Sequence, residues 1–344
     1  MNGFLSEIGE QPTALRATCD ALPAQMGGVR DLSDQLRSGP IRRVILSGMG
    51  ASFFATHPAQ QMLIRFGVVA HCVEASDLLY YQHGLFDART LLVLVSQSGR
   101  SVEIVKLLEM VAKRVPVLGI SNSDDSPLAQ RSTVHVRIHA GAEATVSSKT
   151  YTCTLAALHA VTRVLGGGTP DIAALTGAAD TIEANLPAWN TAVGAVVEQM
   201  HDAQSILVLG RGASLASALT GALIVKESAK FPAEGMNAAQ VRHGPIEMVD
   251  GRIGAVLFAG SDPQRALTLA LARDLHGYGA RVALVDHAPA PNGIVGIPLP
   301  AGLDPFVQPI AEIVPMQVFG ALLAAKRGYT PGAFRYSNKV TTAE

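Results

Sequence analysis

Two short segments combine the residue types that hold an anion. Ser96-Gln97-Ser98-Gly99-Arg100-Ser101 follows the apolar run Leu91 to Val95, and Ser47-Gly48-Met49-Gly50-Ala51-Ser52 closes the run that starts at Ile41. Both precede stretches with helical periodicity. At a strand-to-helix junction the first helical N–H groups lack partners within the helix and point outward. The helix dipole favours negative charge at the same place. Serine hydroxyls add donors with little bulk, and glycine lets the main chain approach a ligand closely. Ser96, Gln97, Ser98 and Ser101 are thus candidate phosphate ligands, and the companion loop offers Ser47 and Ser52 beside two glycines. A single Ser/Gly turn would serve equally well as a helix cap. Two of them at the carboxyl ends of neighbouring strands converge on one ligand. Positions 48–53 read Gly-Met-Gly-Ala-Ser-Phe, which is neither a Walker loop nor a GxGxxG fingerprint, so a nucleotide-binding dehydrogenase finds no support and no cofactor is expected.

The elements around these loops alternate. Strands are expected at Ile41 to Ser47, Val68 to Val73, Leu91 to Val95, Val117 to Ile120 and Val134 to Ile138. Helices are expected at Ser52 to Phe66, Val102 to Arg114 and from Lys149 to the Gly/Pro break at 166–170. Ser52 to Phe66 should hold Pro58 near its first turn, where the missing N–H is tolerated. The order then recurs, with strands at Ser205 to Leu209, Gly254 to Phe258, Val282 to Val285 and Gly293 to Pro298. Helices are expected there at Ser214 to Lys230, Arg265 to Leu275 and Pro309 to Lys326. Comparison of SGMGAS at 47–52 with LGRGAS at 209–214 indicates an internal duplication. The fold class is α/β, with two doubly wound parallel sheets in tandem. The expected organisation is a helical segment 1–37 with breaks near Pro12 and Pro23, a first domain 38–170, a helical connector 171–201, a second domain 202–327 and a tail 328–344.

Composition narrows the partners. The 344 residues are 48% hydrophobic and 16% charged with a net charge of −1, and no long basic block suits nucleic acid. No apolar run is expected to span a bilayer, and Met1 to Glu10 lacks a signal-peptide pattern, so a cytoplasmic location is expected. Cys19, Cys72 and Cys153 are widely spaced and odd in number, which fits small buried thiols and neither a disulfide framework nor a metal site.

SQSGRS at 96–101, EATVSSKT at 143–150, VRHGP at 241–245 and EIGEQPTAL at 7–15 together resemble the sugar isomerase (SIS) domain family, and in particular the two-domain isomerase half of glucosamine-6-phosphate synthase. The resemblance covers nearly the whole chain. It implies that Ser96, Gln97, Ser98 and Ser101 hold a sugar phosphate and that Gly50 and Ser52 line the same site. It places Val146, Ser148 and Lys149 in a loop beside the sugar. It matches Glu227 to the carboxylate that moves the C1–C2 proton, His243 to the ring-opening histidine that reaches a partner subunit's site, and Lys339 to a C-terminal lysine at the sugar's reactive end. A homodimer is implied. These residue types suit the chemistry: histidine exchanges protons near neutrality, a carboxylate serves as base, and Lys⁺ stabilises charge on a carbonyl oxygen. By residue type alone, Glu227 could pair with Lys230, His243 could be a turn residue, and Lys339 could be a solvated charge.

Two departures matter. Gln240 stands three residues before His243 where the family has a glutamate, and an amide cannot act as a base. Glu247 would restore that charge if a helix continued from His243. The resemblance also begins after the synthase's glutaminase domain, so no ammonia from glutamine is expected. An isomerase or isomerising deaminase on a hexose or hexosamine 6-phosphate is the first reading, with deamination of glucosamine 6-phosphate to fructose 6-phosphate preferred. A non-catalytic phosphosugar sensor is the alternative, supported by Gln240 alone.

Overall fold

A computed structural model describes residues 3–111, 114–261, 263–336 and 338–341. The chain forms two compact units. One comprises 13–143, 149–177 and 336–344, and the other comprises 1–12, 144–148 and 178–335.

The first of these units carries β1 (Arg43–Ser47), β2 (Ala70–Cys72), β3 (Thr90–Val95), β4 (Val117–Ser121) and β5 (Val134–Arg137). They pair in the order β2-β1-β3-β4-β5, with every pair parallel. Every residue of β3 is buried. A run of Leu and Val is what a central strand covered on both faces requires. Ile45, Leu92 and Leu94 pack with Ile104, Leu107 and Leu108 of the helix Val102–Val111. Residues 112 and 113 of the expected helix lie outside the described residues.

The other unit carries β6 (Ser205–Gly210), β7 (Ala233–Asn237), β8 (Ile253–Phe258), β9 (Arg281–Asp286) and β10 (Val295–Pro298). The order is β10-β9-β8-β6-β7, again all parallel. Read from the other edge, it repeats the first sheet strand for strand. The registers agree: Ser47 lies opposite Leu94 and Leu209 opposite Leu257. Both sheets reverse their winding between the first and third strands of the set, which is the switch point where doubly wound sheets hold ligands.

Several expectations shift. β7 has no counterpart in the apolar pattern, because Ala-Glu-Gly-Met-Asn forms a half-exposed edge strand whose pairing rests on main-chain bonds. The helix expected over Ser52 to Phe66 is two helices, Gly50–Phe54 and Thr56–Arg65. Thr56 Oγ1 donates to the Phe53 carbonyl at 2.6 Å, and Pro58, which has no N–H to give, falls in the first turn of the second helix. Pro12 and Pro23 both lie inside Gln11–Gln25, and the breaks occur at Glu10 and Met26. The stretch Gln308–Lys326 is long and apolar enough to cross a membrane, contrary to expectation, but 83% of its apolar window is buried in the fold. Two helices meet within it at Ile313.

The three cysteines are free, and burial raises the Cys19 thiol to about 11 and the Cys72 and Cys153 thiols to about 12. At pH 8 their thiolate fraction is on the order of one part in a thousand or less. Native protein treated with an aromatic disulfide reagent at pH 8 is therefore expected to release no fast thiol, with three appearing after denaturation; a fast native thiol would contradict the assigned burial.

Candidate functional site

The loop 96–101 forms a compact turn at the end of β3. Ser96 N–H donates to the Ile120 carbonyl at 3.1 Å, and Asn122 N–H donates to the Gln97 carbonyl at 2.9 Å, which ties the loop to the end of β4. Ser96 Oγ lies 3.1 Å from Ser101 Oγ and accepts from Gly99 N–H at 3.2 Å. Ser98 Oγ accepts from Arg100 N–H at 3.2 Å. The main-chain N–H groups of Gln97, Ser98 and Ser101 find no acceptor among the described residues. Hydroxyls and open N–H groups at a helix start make a concavity suited to an oxyanion.

The companion loop reaches the same place. A Cβ added to Gly48 would stand 2.8 Å from the Val95 carbonyl oxygen, so the first-strand loop passes directly against the end of β3. Ser47 Oγ is buried there without a hydrogen-bond partner among the described residues. Gly50 opens its helix at φ 52°, and Ser52 follows at partial exposure.

The tail enters this unit too. The Thr341 carbonyl accepts from Val102 N–H at 3.3 Å, one residue past Ser101, so the tail meets the first turn of the helix after the loop 96–101. Lys339 Nζ lies 2.5 Å from Glu143 Oε2, whose carboxylate side chain is fully buried. Glu143 also accepts from Thr150 N–H at 3.0 Å and Thr150 Oγ1 at 2.5 Å. One carboxylate thus secures the start of the helix Lys149–Leu165 and the amine of Lys339. Lys149 itself is buried at the head of that helix.

The remaining candidates belong to the other unit. Glu7 accepts from Ala144 N–H at 2.6 Å and Thr145 N–H at 3.3 Å, which joins the 7–15 motif to the 143–150 motif. Val146 N–H donates to the Gly332 carbonyl at 3.3 Å, and Gly332 N–H donates to Ser228 Oγ at 3.0 Å. Val146 and the helix bearing Glu227 are therefore drawn together through Gly332. Ser148 is fully buried and Glu227 is half-buried. Lys230, the helix-end residue at φ 52°, donates to the main-chain carbonyls of Glu227 and Ala333. Burial, then Arg335, holds its amine below the ordinary lysine range, while Glu227 pulls the other way. His243 is exposed in the turn after β7.

Comparison with known proteins follows the same lines. The SIS domain model matches residues 40–163 and 199–290. The chain belongs to the SIS domain family. It is 29% identical over 351 residues to glutamine–fructose-6-phosphate aminotransferase (isomerizing) of Pyrococcus horikoshii, covering 99% of this chain and 58% of that protein. The chain thus spans under two thirds of the curated relatives it matches. The C-terminal domain of glucosamine-fructose-6-phosphate aminotransferase from Francisella tularensis superposes with a TM-score of 0.83 at 25% identity, covering 95% of this chain and 97% of that one. The glucosamine-6-phosphate deaminase of Thermotoga maritima shares the fold, with a TM-score of 0.79 at 19% identity and coverage of 98% and 99%.

Within this SIS pair no helix continues from His243 to Glu247, the condition under which Glu247 would have restored the charge beside the histidine. Gly244, at φ 124°, separates the turn Gln240–Arg242 from the turn Pro245–Met248, and Glu247 sits in the first turn of the latter. Glu143 is the residue that sequence reasoning left without a role. It is the acid of EATVSSKT, but its partner Lys339 lies 196 positions away, beyond any local pattern. Among the described residues no group of three His, Cys, Asp or Glu side chains is placed to hold a metal.

Gly99 sets the backbone turn of the loop 96–101. It holds φ +64°, and an added Cβ would stand 2.2 Å from Ser126 Oγ, which caps the helix Pro127–Arg131 through Ala129 N–H. Gly99→Ala is expected to cost about 2–3 kcal/mol from left-handed backbone strain and the disturbed cap. Chemical denaturation measures this, and an unchanged midpoint would refute it.

Proposed function

We propose that this chain is an enzyme acting on a hexose or hexosamine 6-phosphate, and that its preferred reaction is isomerising deamination of glucosamine 6-phosphate to fructose 6-phosphate and ammonia. The observation that carries the reading is the Thr341 carbonyl on Val102 N–H, with Lys339 held by Glu143 in the same unit. A phosphate-binding loop alone would suit a sensor. A tail that carries a lysine and is anchored one residue past that loop supports chemistry at the other end of the sugar.

In this reading Ser96, Gln97, Ser98 and Ser101 take the phosphate, whose negative charge suits the helix start. Gly50, Ser52, Val146, Ser148 and Lys149 line the sugar. His243 passes a proton to the ring oxygen as the C1–O5 bond breaks, giving the open-chain aldehyde. Glu227 removes the C2 proton and returns it to C1. The Lys339 ammonium stabilises negative charge growing on O1 during that transfer. The C2 amine becomes an imine, and water hydrolyses it to the ketone and ammonia. With a hydroxyl at C2, the same steps give plain aldose–ketose isomerisation. The exposure of His243 agrees with a homodimer in which it serves the partner's site. A cytoplasmic location suits such a substrate.

Purified protein given glucosamine 6-phosphate is expected to release ammonia and fructose 6-phosphate in equal amounts. Glu227→Gln should lower kcat by roughly 10²–10⁴-fold with KM little changed; unchanged turnover would eliminate Glu227 as the base. Tight binding of hexose phosphates without any turnover would favour the sensor, for which Gln240 speaks. Mixing Glu227→Gln with His243→Gln protein should restore activity if each site draws on both subunits. Failure of the mixed dimer to regain activity would rule out shared sites.

A further inference from the structure

The two halves share one loop and use it differently. Met49 and Arg211 hold nearly the same conformation, φ −128° and ψ 149° against φ −126° and ψ 157°. Gly50 and Gly212 follow at φ 52° and 56°. The Gly48 carbonyl accepts from Ala75 N–H at 3.1 Å, and the Gly210 carbonyl accepts from Ala238 N–H at 2.9 Å. Ser214 therefore stands where Ser52 stands in the first half. A Cβ added to Gly260 would lie 3.8 Å from Ser214 Oγ, so this hydroxyl is at the seam of β6 and β8, the second switch point.

The side chains differ in what they meet. Ser52 makes no side-chain hydrogen bond among the described residues. Ser214 Oγ donates to Glu312 Oε2 at 3.1 Å, Ser217 Oγ donates to Glu312 Oε1 at 2.8 Å, and Gln308 Nε2 donates to Glu312 Oε2 at 2.7 Å. Glu312 and Ser217 are fully buried, and Ser214 is nearly so. A cavity of about 190 Å³ opens at the ends of β8 and β9, and Gln308 lines it with Ser261, Arg265, Asp286 and His287. Asp286 is paired with Arg265 and faces His287, so its charge is already met.

We infer that Ser214, Ser217 and Gln308 form a carboxyl-binding cradle at the second switch point, and that Glu312 occupies it as an internal ligand, leaving only the first half to take an external anion. A carboxyl with three donors and no exposure is a satisfied polar group in an apolar helix pair, where an unsatisfied one would be costly. Burial pushes the Glu312 carboxyl above the usual range against the three donors, which fits a group enclosed by the fold. The cradle stands on this unit alone and does not depend on the reaction proposed above; that the first half takes an external anion rests on the site proposed there.

Glu312→Ala removes a group the size of acetate and leaves its donors in place. Sodium acetate at pH 6.5 is expected to raise the variant's melting temperature saturably, by about 2–4 °C for each 1 kcal/mol of binding. Equal ionic strength of chloride should not, and wild type should not respond to acetate. Adding Ser217→Ala should erase the effect. An equal response in wild type, or none in a folded Glu312→Ala protein, would overturn the cradle.

Discussion

Parallel pairing of β1 with β3, in the register that sets Ser47 opposite Leu94, is the constraint on which the candidate site depends. It brings two Ser/Gly loops to one seam, and the absence of a side chain at Gly48 lets one loop lie against the end of the other strand. Side-chain donors and open N–H groups can then act on one anion without any long side chain reaching across. Because the strands are buried on both faces, this placement is held by the apolar core and not by the loops.

Much of this frame was legible in the sequence because apolar strands and Ser/Gly turns are local patterns. The central strands carry their own periodicity, and the repeated Gly-x-Gly turns marked the duplication. β7 was not legible, since an edge strand needs neither alternation nor bulk. The break between Phe54 and Thr56 was missed because Pro58 can be accommodated either by a helix that starts early or by one that starts again. The turn at 96–101 after an apolar strand could be read directly, whereas the role of Glu143 could not, because its pairing with Lys339 is created by the return of the tail. Glu247 sits in the first turn after Gly244, where the Gly-Pro pair already made a helix continuing from His243 uncertain in the sequence.

The duplication shows how one backbone supports two outcomes. Near-identical loop dihedrals at Met49-Gly50 and Arg211-Gly212 present a serine at each switch point. In one half Ser52 makes no side-chain hydrogen bond among the described residues, and in the other Ser214 and Ser217 are satisfied by Glu312. The difference lies in a few side chains on the closing helices and not in the sheet. This is how function can diverge between copies of a fold while the core is kept.

The unit that holds the loop 96–101 is discontinuous, with its last piece at 336–344. Order of synthesis then matters. At about 5–20 residues per second, the loop at 96–101 emerges from a ribosome roughly 10–50 s before Lys339 does. The first sheet has time to close while the lysine is still unmade. A nascent chain passes through a stage that carries the folded loop without Lys339, until the tail arrives to seat the Thr341 carbonyl on Val102.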